Sequence, residues 1–600
     1  MKVSRAWLQK YFETELPPAE KIAEALTLHV AEVEEVEQDS MEVKVLPDRA
    51  AYMLCHRGIA KELSAILDIP MKKDPLREAP PQFSTTDKLE VRIDESACLR
   101  HMAALVTGVK VGPSPAWMKE ALEAVGQRSI NNIVDITNYL TLDMGQPMHA
   151  FDARKISWSG DILKIDIRRS EENEKVRILS GEEYLLPAGT LVIADGTSGE
   201  ALDIAGIKGG FASGITDETT DLFISVGNYD GPLIRRTAQA LKLFTDASTR
   251  YQNKPSPELV AYGMQRAAKL FADLAGGALS GVIDLYPHPE KNPAVSVTAR
   301  DIAKRVGMEY PEEEIRHVFT RLGFDFRVEA DLFTVTAPFE RRDISIPEDL
   351  TEEVARLIGY DALPEAVLSA SSPGDQDRFR GIERMKDMLV EQGFMEVSTQ
   401  SFAEAGDVYL ANPLDKTRPA LRTALTRGLT EALEKARQYA PLLLGPAETP
   451  KLFEVGSVFP KEGEYMELEM SEAVEAWGNV PTKDNLSAAN LEEYGKDYTP
   501  RRYRLGPYHP FSVYPFAIRD IAFWCPASVA DGEAETLIRN VAGPLLARLD
   551  LFDTFKKDMR VSYAFRLVLQ ALDRTLTEEE ISGTMGKVED ALRRSGWEVR

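Results

Sequence analysis

Four carboxylates fall within one short stretch of the chain, and oxygen ligands at that spacing suit a hard cation. They are Asp343, Asp349, Glu352 and Glu353. Magnesium is the best candidate for such a site, because it takes few protein ligands and keeps several waters. The alternative needs no metal: acids in a first turn favour the helix dipole, and Glu352 can pair with Arg356 four residues later. The residues by themselves leave both interpretations open.

The element that must position these carboxylates is a helix. Ser345 followed by Glu348 is typical of a capping box, and Pro347 fits a first helical turn. Gly359 ends the pattern, so we predict a helix over about 346–358. At about 100° per residue the apolar side chains form one stripe and the acids occupy the neighbouring face. We therefore expect the acids to lie beside the core and not inside it.

Length and composition predict an ordinary globular protein with several domains. The 600 residues are too many for one core, and about 150 residues per domain suggests roughly four domains. Hydrophobic residues make up 44% of the chain and charged residues 28%. No apolar run approaches the roughly 20 residues of a membrane span, and no secretory signal core is present. We expect a cytoplasmic protein with no membrane partner.

Charge is distributed unevenly along the chain. The net charge of -25 argues against non-specific nucleic-acid binding by the whole surface. Residues 501–600, however, hold 15 Lys and Arg against 14 Asp and Glu, so this segment is the best candidate to meet a phosphate backbone. The three cysteines, Cys55, Cys98 and Cys525, have no metal spacing and are expected to serve packing.

Composition and periodicity divide the chain into five predicted domains in an α+β, multidomain architecture. Residues 505–600 alternate strand, helix, strand, strand, helix, which fits a ferredoxin-like sandwich. The acidic stretch from Lys461 to Tyr498 shows little periodicity and is predicted to be a loop or a remnant. The predicted domains are 1–75 (small α/β), 85–285 (larger α+β), 293–362 (small, with the acidic helix), 375–500 (helices and strands) and 505–600.

Seven motifs, in this order, resemble the beta-subunit family of bacterial phenylalanyl-tRNA synthetase. No single motif decides the matter, but their order along most of the chain makes accident improbable. They are GQPMHAFD (Gly145 to Asp152), IAGIKGG (Ile204 to Gly210), TDAS (Thr245 to Ser248), the acidic-helix motif (Arg342 to Tyr360), NPL with LRT (Asn412 to Thr423), LFEVG (Leu452 to Gly456) and RTLT (Arg574 to Thr577).

The resemblance implies a specific set of domains and a metal site. It implies an editing-type α+β domain at 85–285, a winged-helix-like acidic-helix domain, a reduced class II synthetase-like core and a C-terminal ferredoxin-fold anticodon-binding domain. It also implies Mg²⁺ as a cofactor. Its implied ligands, near the contact with the alpha subunit, are Asp343, Asp349, Glu352 and Glu353.

The implied function is the beta subunit of phenylalanine-tRNA ligase. Such a chain supports the ATP-dependent attachment of phenylalanine to its tRNA within an α2β2 tetramer, and the separate alpha subunit binds the ATP. Glu454 stands where an active synthetase has an Arg-containing motif, and no Gly-rich ATP loop follows, so we expect no adenylation on this chain. The alternative is a non-catalytic tRNA-binding or scaffold relative that has lost editing.

Editing, in this family, means hydrolysis of tyrosine mischarged onto the phenylalanine tRNA. The family recognises the tyrosine hydroxyl with a glutamate, and Ser225 stands at that position here. The usual RFERG sequence has also become RYQNK, from Arg250 to Lys254. Because a hydroxyl binds tyrosine more weakly than a carboxylate does, we expect weakened or absent editing. The positions carried over to the pocket are Arg128, His149, Gly209, Ser225, Thr245 and Ala247.

Two further features concern the tRNA. The family's oligonucleotide-binding insert is missing after the first forty residues, and the central core reaches the C-terminal domain within about fifty residues of Phe459, which makes this a reduced form. Surface arginines are solvated by default, but the last domain carries four that are candidates for phosphate contacts. They are Arg519, Arg574, Arg593 and Arg594.

Overall fold

A computed structural model describes residues 1–368, 376–472, 484–486, 490–502, 506–508 and 510–600. The chain divides into two compact units, Met1–Val367 and Leu368–Arg600. Part of the stretch from Lys461 to Tyr498 that the sequence predicts to be a loop lies outside the described residues. None of the helices in the described part of the chain has the length and apolar character needed to cross a lipid bilayer.

The chain begins with a small antiparallel sheet covered by helices. Its elements are β1 (Lys2–Ser4), α1 (Arg5–Gln9), α2 (Ala19–His29), β2 (Val33–Glu37), β3 (Ser40–Val43), α3 (Ala50–Met53) and α4 (His56–Leu67). The strand order is β1-β3-β2. The Cys55 thiol accepts the Gly58 N–H at the start of α4, and all three cysteines are buried and not disulfide-bonded, as their packing role predicts.

The next segment contains two larger sheets. Its elements are β4 (Leu89–Ile93), β5 (Cys98–Thr107), α5 (Ala116–Ala124), α6 (Asn132–Met144), β6 (His149–Asp152), β7 (Trp158–Ser159), β8 (Ile162–Arg169), β9 (Glu174–Arg177), β10 (Glu183–Leu186), β11 (Leu191–Asp195), β12 (Ala201–Ile204), β13 (Lys208–Gly209), β14 (Asp221–Tyr229), α7 (Gly231–Leu241), α8 (Asp246–Gln252), α9 (Leu259–Ala275) and β15 (Ala278–Leu285). One sheet has the order β15-β5-β14-β6, and the other has the order β13-β12-β11-β8-β4, with β7 on β8.

Strand β5 explains how these two sheets stack. Successive side chains of a strand point to opposite faces. Met102 and Val106 enter the core formed with helices α6 and α9, whereas Ala103 and Leu105 enter the core shared with the second sheet. Helices therefore cover one face of the four-stranded sheet, and the second sheet covers the other.

The acidic helix belongs to a small domain with its own core. Its elements are β16 (Ala294–Thr298), α10 (Ala299–Val306), α11 (Glu312–Leu322), β17 (Asp325–Glu329), β18 (Leu332–Thr336) and α12 (Pro347–Ile358). The three strands form an antiparallel sheet in the order β16-β18-β17. Leu350, Val354 and Leu357 of α12 are buried in this core, as the predicted apolar stripe requires, whereas Ile346 is half exposed.

The second unit begins with a sheet of mixed direction. Its elements are α13 (Asp377–Glu391), β19 (Phe394–Glu396), β20 (Phe402–Ala403), β21 (Ala420–Leu421), α14 (Thr426–Leu443), β22 (Lys451–Val458), β23 (Tyr465–Met470), β24 (Asp484–Asn485) and α15 (Leu491–Gly495). The sheet order is β19-β22-β23-β24. Strand β23 falls inside the predicted loop, so that prediction is wrong here. Met466, Leu468 and Met470 alternate with glutamates, and the acidic composition masked this period of two.

The last domain has the predicted alternation of strands and helices. Its elements are β25 (Ala517–Pro526), α16 (Asp531–Ala542), β26 (Leu546–Lys557), β27 (Arg560–Leu569), α17 (Glu578–Arg594) and β28 (Glu598–Val599). The antiparallel order β26-β27-β25-β28 is that of a ferredoxin-like fold. Phe523 and Phe565 pack against Ile538 of α16 and Val588 of α17, so both helices cover the same face of the sheet.

Candidate functional site

Helix α12 is capped by Asp349. Its Oδ2 atom accepts the backbone N–H groups of Ser345 at 2.7 Å and Ile346 at 2.9 Å. Glu348 pairs instead with Arg305, at 2.5 Å. The predicted capping box of Ser345 and Glu348 is therefore wrong. Since Ile346 is the N-cap, the third helical residue, which can reach back to the N-cap, is Asp349.

Glu353 is fully buried, and three guanidinium groups surround its carboxylate. The nearest N···O distances are 2.5 Å to Arg356, 2.9 Å to Arg341 and 3.0 Å to Arg49. Burial disfavours the charged form, but Arg341, Arg356 and Arg49 outweigh it and hold the pKa of Glu353 well below its ordinary value. The prediction that all the acids lie beside the core is wrong for this residue.

Further carboxylates extend this network. Glu62 of α4 is buried and accepts from Arg356 at 2.8 Å and from the Tyr52 hydroxyl at 2.8 Å. Arg341 also binds Asp343 at 2.6 Å. Glu352, whose side chain is 51% exposed, pairs with Arg49 at 2.6 Å and not with Arg356. We call these residues the arginine–carboxylate cluster: Arg49, Glu62, Arg341, Asp343, Glu352, Glu353 and Arg356.

The four carboxylates do not fit a magnesium ion in this arrangement. The Arg49 guanidinium lies 2.6 Å from Glu352, 3.0 Å from Glu353 and 4.0 Å from Asp343, so a positive charge already occupies the space between their oxygens. Asp349 has its Oδ2 atom committed to the helix N-terminus. Within the described ranges, no group of three or more His, Cys, Asp or Glu side chains could hold a metal ion.

A second polar site is a cavity of about 620 Å³ within residues 85–285. Six sequence-predicted positions line it, although more than a hundred residues separate the first from the last. We call this site the cavity. The six are Arg128, His149, Gly209, Ser225, Thr245 and Ala247.

Local sequence explains how several of these residues reach the cavity. Gly145 adopts φ +82° at the end of α6, which favours glycine and lets the chain turn into β6. Strand β6 then pairs His149 with Ser225 of β14. A Cβ atom on Gly209 would lie only 2.4 Å from the His149 ring, so this ring position requires glycine there. Thr245 caps α8 by accepting the Ser248 N–H at 3.1 Å.

His149 of the cavity wall and the buried His101 beside Ser225 are both uncharged near neutral pH. Burial, with help from Lys208, lowers the pKa of His149 to about 4, and burial lowers that of His101 to about 3. His101 Nε2 lies 2.9 Å from Ser225 Oγ. His149 Nε2 has no hydrogen-bond partner among the described residues. The site therefore offers a neutral imidazole that can accept a hydrogen bond from a water or a ligand.

Sequence reasoning missed one acidic residue of this cavity. Asp203 of β12 lines it, is 4% exposed, and has an Oδ1 atom without a partner in the described part of the chain. Burial raises its pKa well above the ordinary value. A signal was available, because Asp203 interrupts the apolar run that leads into the glycine motif.

The four arginines proposed for tRNA contact do not form one patch. Arg519 pairs with Glu578, and Arg574 pairs with Glu580, at the N-terminal end of α17. Arg593 and Arg594 lie at its C-terminal end, about 25 Å away at about 1.5 Å per residue. Periodicity alone could not place them, because the separation depends on where the helix starts and ends.

The sheet face opposite α16 and α17 carries aromatic and basic side chains together. The Arg560 guanidinium lies 5.3 Å from the ring centre of Trp524, and that of Arg566 lies 5.4 Å from Phe552. Phe555 packs edge-on against Trp524, with ring centres 6.0 Å apart, and is 55% exposed. Exposed aromatic rings beside guanidinium groups can stack with nucleic-acid bases and bind phosphates.

Glu454 serves as a structural partner within the second unit. It is buried and accepts from Arg422 at 2.8 Å and from Thr399 Oγ1 at 2.7 Å. Both charges of this pair are therefore committed to each other.

Four family models match the chain, in order. The B3/4 domain matches residues 97–276, and the tRNA synthetase B5 domain matches 295–360. The phenylalanyl tRNA synthetase beta chain CLM domain matches 363–480, and the ferredoxin-fold anticodon binding domain matches 512–600. The cavity thus lies in the first matched segment, and α12 in the second.

Curated relatives named phenylalanine–tRNA ligase beta subunit align with most of the chain. The protein from Anaeromyxobacter dehalogenans is 30% identical over 665 residues, covering 95% of this chain and 82% of the relative. That from Clostridium acetobutylicum is 30% identical over 621 residues, covering 88% and 76%. That from Geobacter metallireducens is 35% identical over 450 residues, and this alignment spans 71% of the chain but about half, 54%, of the relative.

Proposed function

Because the chain belongs to the phenylalanine–tRNA ligase beta-subunit family, we propose that it is the tRNA-binding, non-adenylating subunit of the enzyme that joins phenylalanine to its tRNA at the expense of ATP. The observation that carries this proposal is the order of the four matched domains along one chain. The non-catalytic alternative is not favoured, since the aligned relatives are named as ligase subunits.

A separate alpha subunit would supply the adenylation site. The pairing of Glu454 with Arg422 supports this division of labour, because it neutralises the guanidinium beside that strand. The subunits would form an α2β2 tetramer in the cytoplasm. Magnesium would act with ATP on the alpha subunit and not at the four carboxylates in and before α12, where Arg49 already supplies the positive charge.

The cavity would be the site where the ester bond between a mischarged amino acid and the tRNA is hydrolysed. In that reaction a water adds to the ester carbonyl carbon, the bond to the ribose oxygen breaks, and a proton passes from the water to that oxygen. The neutral His149, with its unpartnered Nε2, supports a role in accepting a hydrogen bond from the water. Arg128 is exposed at the rim and is suited to the tRNA backbone.

The open face of the C-terminal sheet would contact the tRNA. Trp524, Phe552 and Phe555 offer stacking surfaces, and Arg560 and Arg566 offer phosphate contacts. Arg519 and Arg574 pair with acids of α17, and Arg560 and Arg566 likewise pair with Glu598 and Asp520. The exposed aromatic rings, and not unpaired charge, are therefore the reason to rank this face first.

Co-purification with the alpha subunit of the same genome tests the main proposal. The two chains should elute together and charge the phenylalanine tRNA with labelled phenylalanine, whereas each chain alone should not. If the chains do not associate, or the complex charges no tRNA, the proposal is wrong. An Arg560→Ala and Arg566→Ala double variant should raise the KM for tRNA while the complex stays intact.

A further inference from the structure

Asp203 is the acidic side chain of the cavity that the fold leaves unsatisfied. Its Oδ1 atom is buried and has no hydrogen-bond partner among the described residues. The other acid on the wall, Asp246, is exposed and accepts from Gln127 at 3.0 Å and from Arg250 at 3.0 Å. A buried carboxyl group without a partner is unfavourable, so its presence in a cavity indicates a ligand that supplies the missing hydrogen bond.

The position of Asp203 follows from strand register. Asp203 of β12 is paired with Ile193 and with Gly209, and side chains of directly opposed antiparallel residues share one face of a sheet. The missing side chain of Gly209 would point at the His149 ring, and His149 is in turn opposite Ser225. Asp203 and Gly209 therefore share one sheet face, and the His149 ring lies against that face at Gly209. Asp203 also lines the same cavity as Ser225.

Two other polar side chains of the cavity wall, Ser225 and Tyr251, are already engaged. Ser225 Oγ lies 2.9 Å from His101 Nε2. The Tyr251 hydroxyl lies 2.9 Å from the carbonyl oxygens of Pro147 and Gly227. Burial raises the pKa of Asp203, so its carboxyl group either keeps a proton or needs a hydrogen-bond donor from outside the chain. A hydroxyl group on the ligand can accept a hydrogen bond from the protonated carboxyl group or donate one to the carboxylate.

We propose that Asp203 is the specificity-determining residue of the cavity, and that its carboxyl group pairs with the phenolic hydroxyl of a tyrosyl ester on tRNA. A phenylalanyl ester has no hydroxyl group and would leave this carboxyl unpaired, and a site built to bind a hydroxyl discriminates strongly against a substrate that lacks it. The inference rests on the proposed hydrolysis of mischarged tRNA. It replaces the expectation that Ser225 weakens editing, because the carboxylate is supplied from β12 and not from β14.

The test uses the complete complex with the alpha subunit and two substrates, tyrosyl and phenylalanyl esters of the same tRNA. Asp203→Ala should lower the ratio of kcat/KM for the tyrosyl over the phenylalanyl ester at least about tenfold, the value of one lost hydrogen bond to a carboxyl group. Asp203→Asn keeps a carbonyl oxygen and should restore part of the ratio. Ser225→Ala should change it less than about threefold, because its hydroxyl is paired with His101.

The outcomes separate the two proposals. If the wild-type complex charges tRNA but hydrolyses neither ester, the proposed editing is wrong, and the role of Asp203 falls with it. If the wild type hydrolyses the tyrosyl ester and Asp203→Ala leaves the ratio unchanged, only the role of Asp203 is wrong. A purely structural role would lower both rates together, and Asn would not restore the ratio. Loss of discrimination in Ser225→Ala alone would return the role to Ser225.

Discussion

Two groups of buried polar side chains in the first unit, the arginine–carboxylate cluster and the cavity, differ in how completely they are paired. In the cluster, Glu353 contacts three guanidinium groups and Glu62 contacts Arg356 and Tyr52. In the cavity, Asp203 Oδ1 and His149 Nε2 have no partner in the part of the chain that the structure describes. Burial is common to both sites, so burial alone does not distinguish them.

We interpret this difference as the distinction between a structural site and a proposed binding site. A buried network with every member paired fixes the relative position of its elements, here α4, α12 and the segment before α3. A buried group that lacks a partner has unused hydrogen-bonding capacity, which a ligand can take up. By this criterion the arginine–carboxylate cluster, which contains more acids than the cavity, is the structural site.

The largest effect should come from removing the central charge of the cluster. Glu353→Gln leaves Arg49, Arg341 and Arg356 without their shared counterion, and breaking a buried ion pair costs about 3–5 kcal/mol. Hydrogen exchange of the α12 backbone amides measures this destabilisation as a lower free energy of local opening. The adjacent variant Glu352→Gln is the control. Its side chain is 51% exposed, so it should lose less than about 1 kcal/mol. Equal losses in both variants would show that the cluster does not hold α12.

A smaller effect of opposite sign is expected in the cavity. In the ligand-free protein, Asp203→Asn removes an ionisable carboxyl group whose Oδ1 atom has no partner among the described residues, and the strand β12 should gain about 1 kcal/mol of protection in hydrogen exchange. The control is Asp135→Asn. The carboxylate of Asp135 is buried and accepts from Ser114, Ser129 and the Ile130 N–H, so this variant should lose about 1–3 kcal/mol. Destabilisation by Asp203→Asn would mean that Asp203 is structurally paired after all.

Local sequence patterns predicted the elements better than the contacts between them. The helix expected over 346–358 is α12 at Pro347–Ile358, and the C-terminal alternation is found as expected. Strand β23 was missed because glutamates alternate with its apolar residues. The motifs also named six positions that share one cavity.

The sequence could not predict the pairing partners. Arg49 and Glu353 are about three hundred positions apart, and nothing in the periodicity of either segment indicates that they touch. For that reason the sequence alone could not show that the four carboxylates are already paired and not available as metal ligands. Asp203 was overlooked because a single acid in an apolar run is visible, but its lack of a partner is a property of the folded chain.

The two sites should also respond to pH in opposite directions. The pKa of Glu353 is held below its ordinary value in the folded chain, so its contribution to stability is present near pH 7 and is lost as the pH falls below about 4.5. The pKa of Asp203 is raised, so its contribution is lost as the pH rises above about 4. Each slope is limited to about 1.4 kcal/mol per pH unit.

Hydrogen exchange of α12 below about pH 4.5 and of β12 above about pH 4 measures these slopes. The deficit of Glu353→Gln against the wild type should shrink toward low pH, whereas the gain of Asp203→Asn should grow toward high pH. Slopes of the same sign in the two variants would contradict the assignment of one site as paired and the other as unpaired.

The smallest expected effect is the response of the isolated chain to magnesium. Since the Arg49 guanidinium lies between Asp343, Glu352 and Glu353, a divalent cation would have to displace it, and like charges repel at that distance. We expect no saturable binding of millimolar MgCl₂ in isothermal titration calorimetry and no change in α12 exchange after EDTA treatment. The Asp349→Asn and Glu352→Gln double variant is the matched control. It should likewise show no saturable magnesium binding and no response of α12 exchange to EDTA. Saturable binding that this double variant abolishes would show that Arg49 moves aside and that the carboxylates are metal ligands, and the distinction between the two sites would then fail.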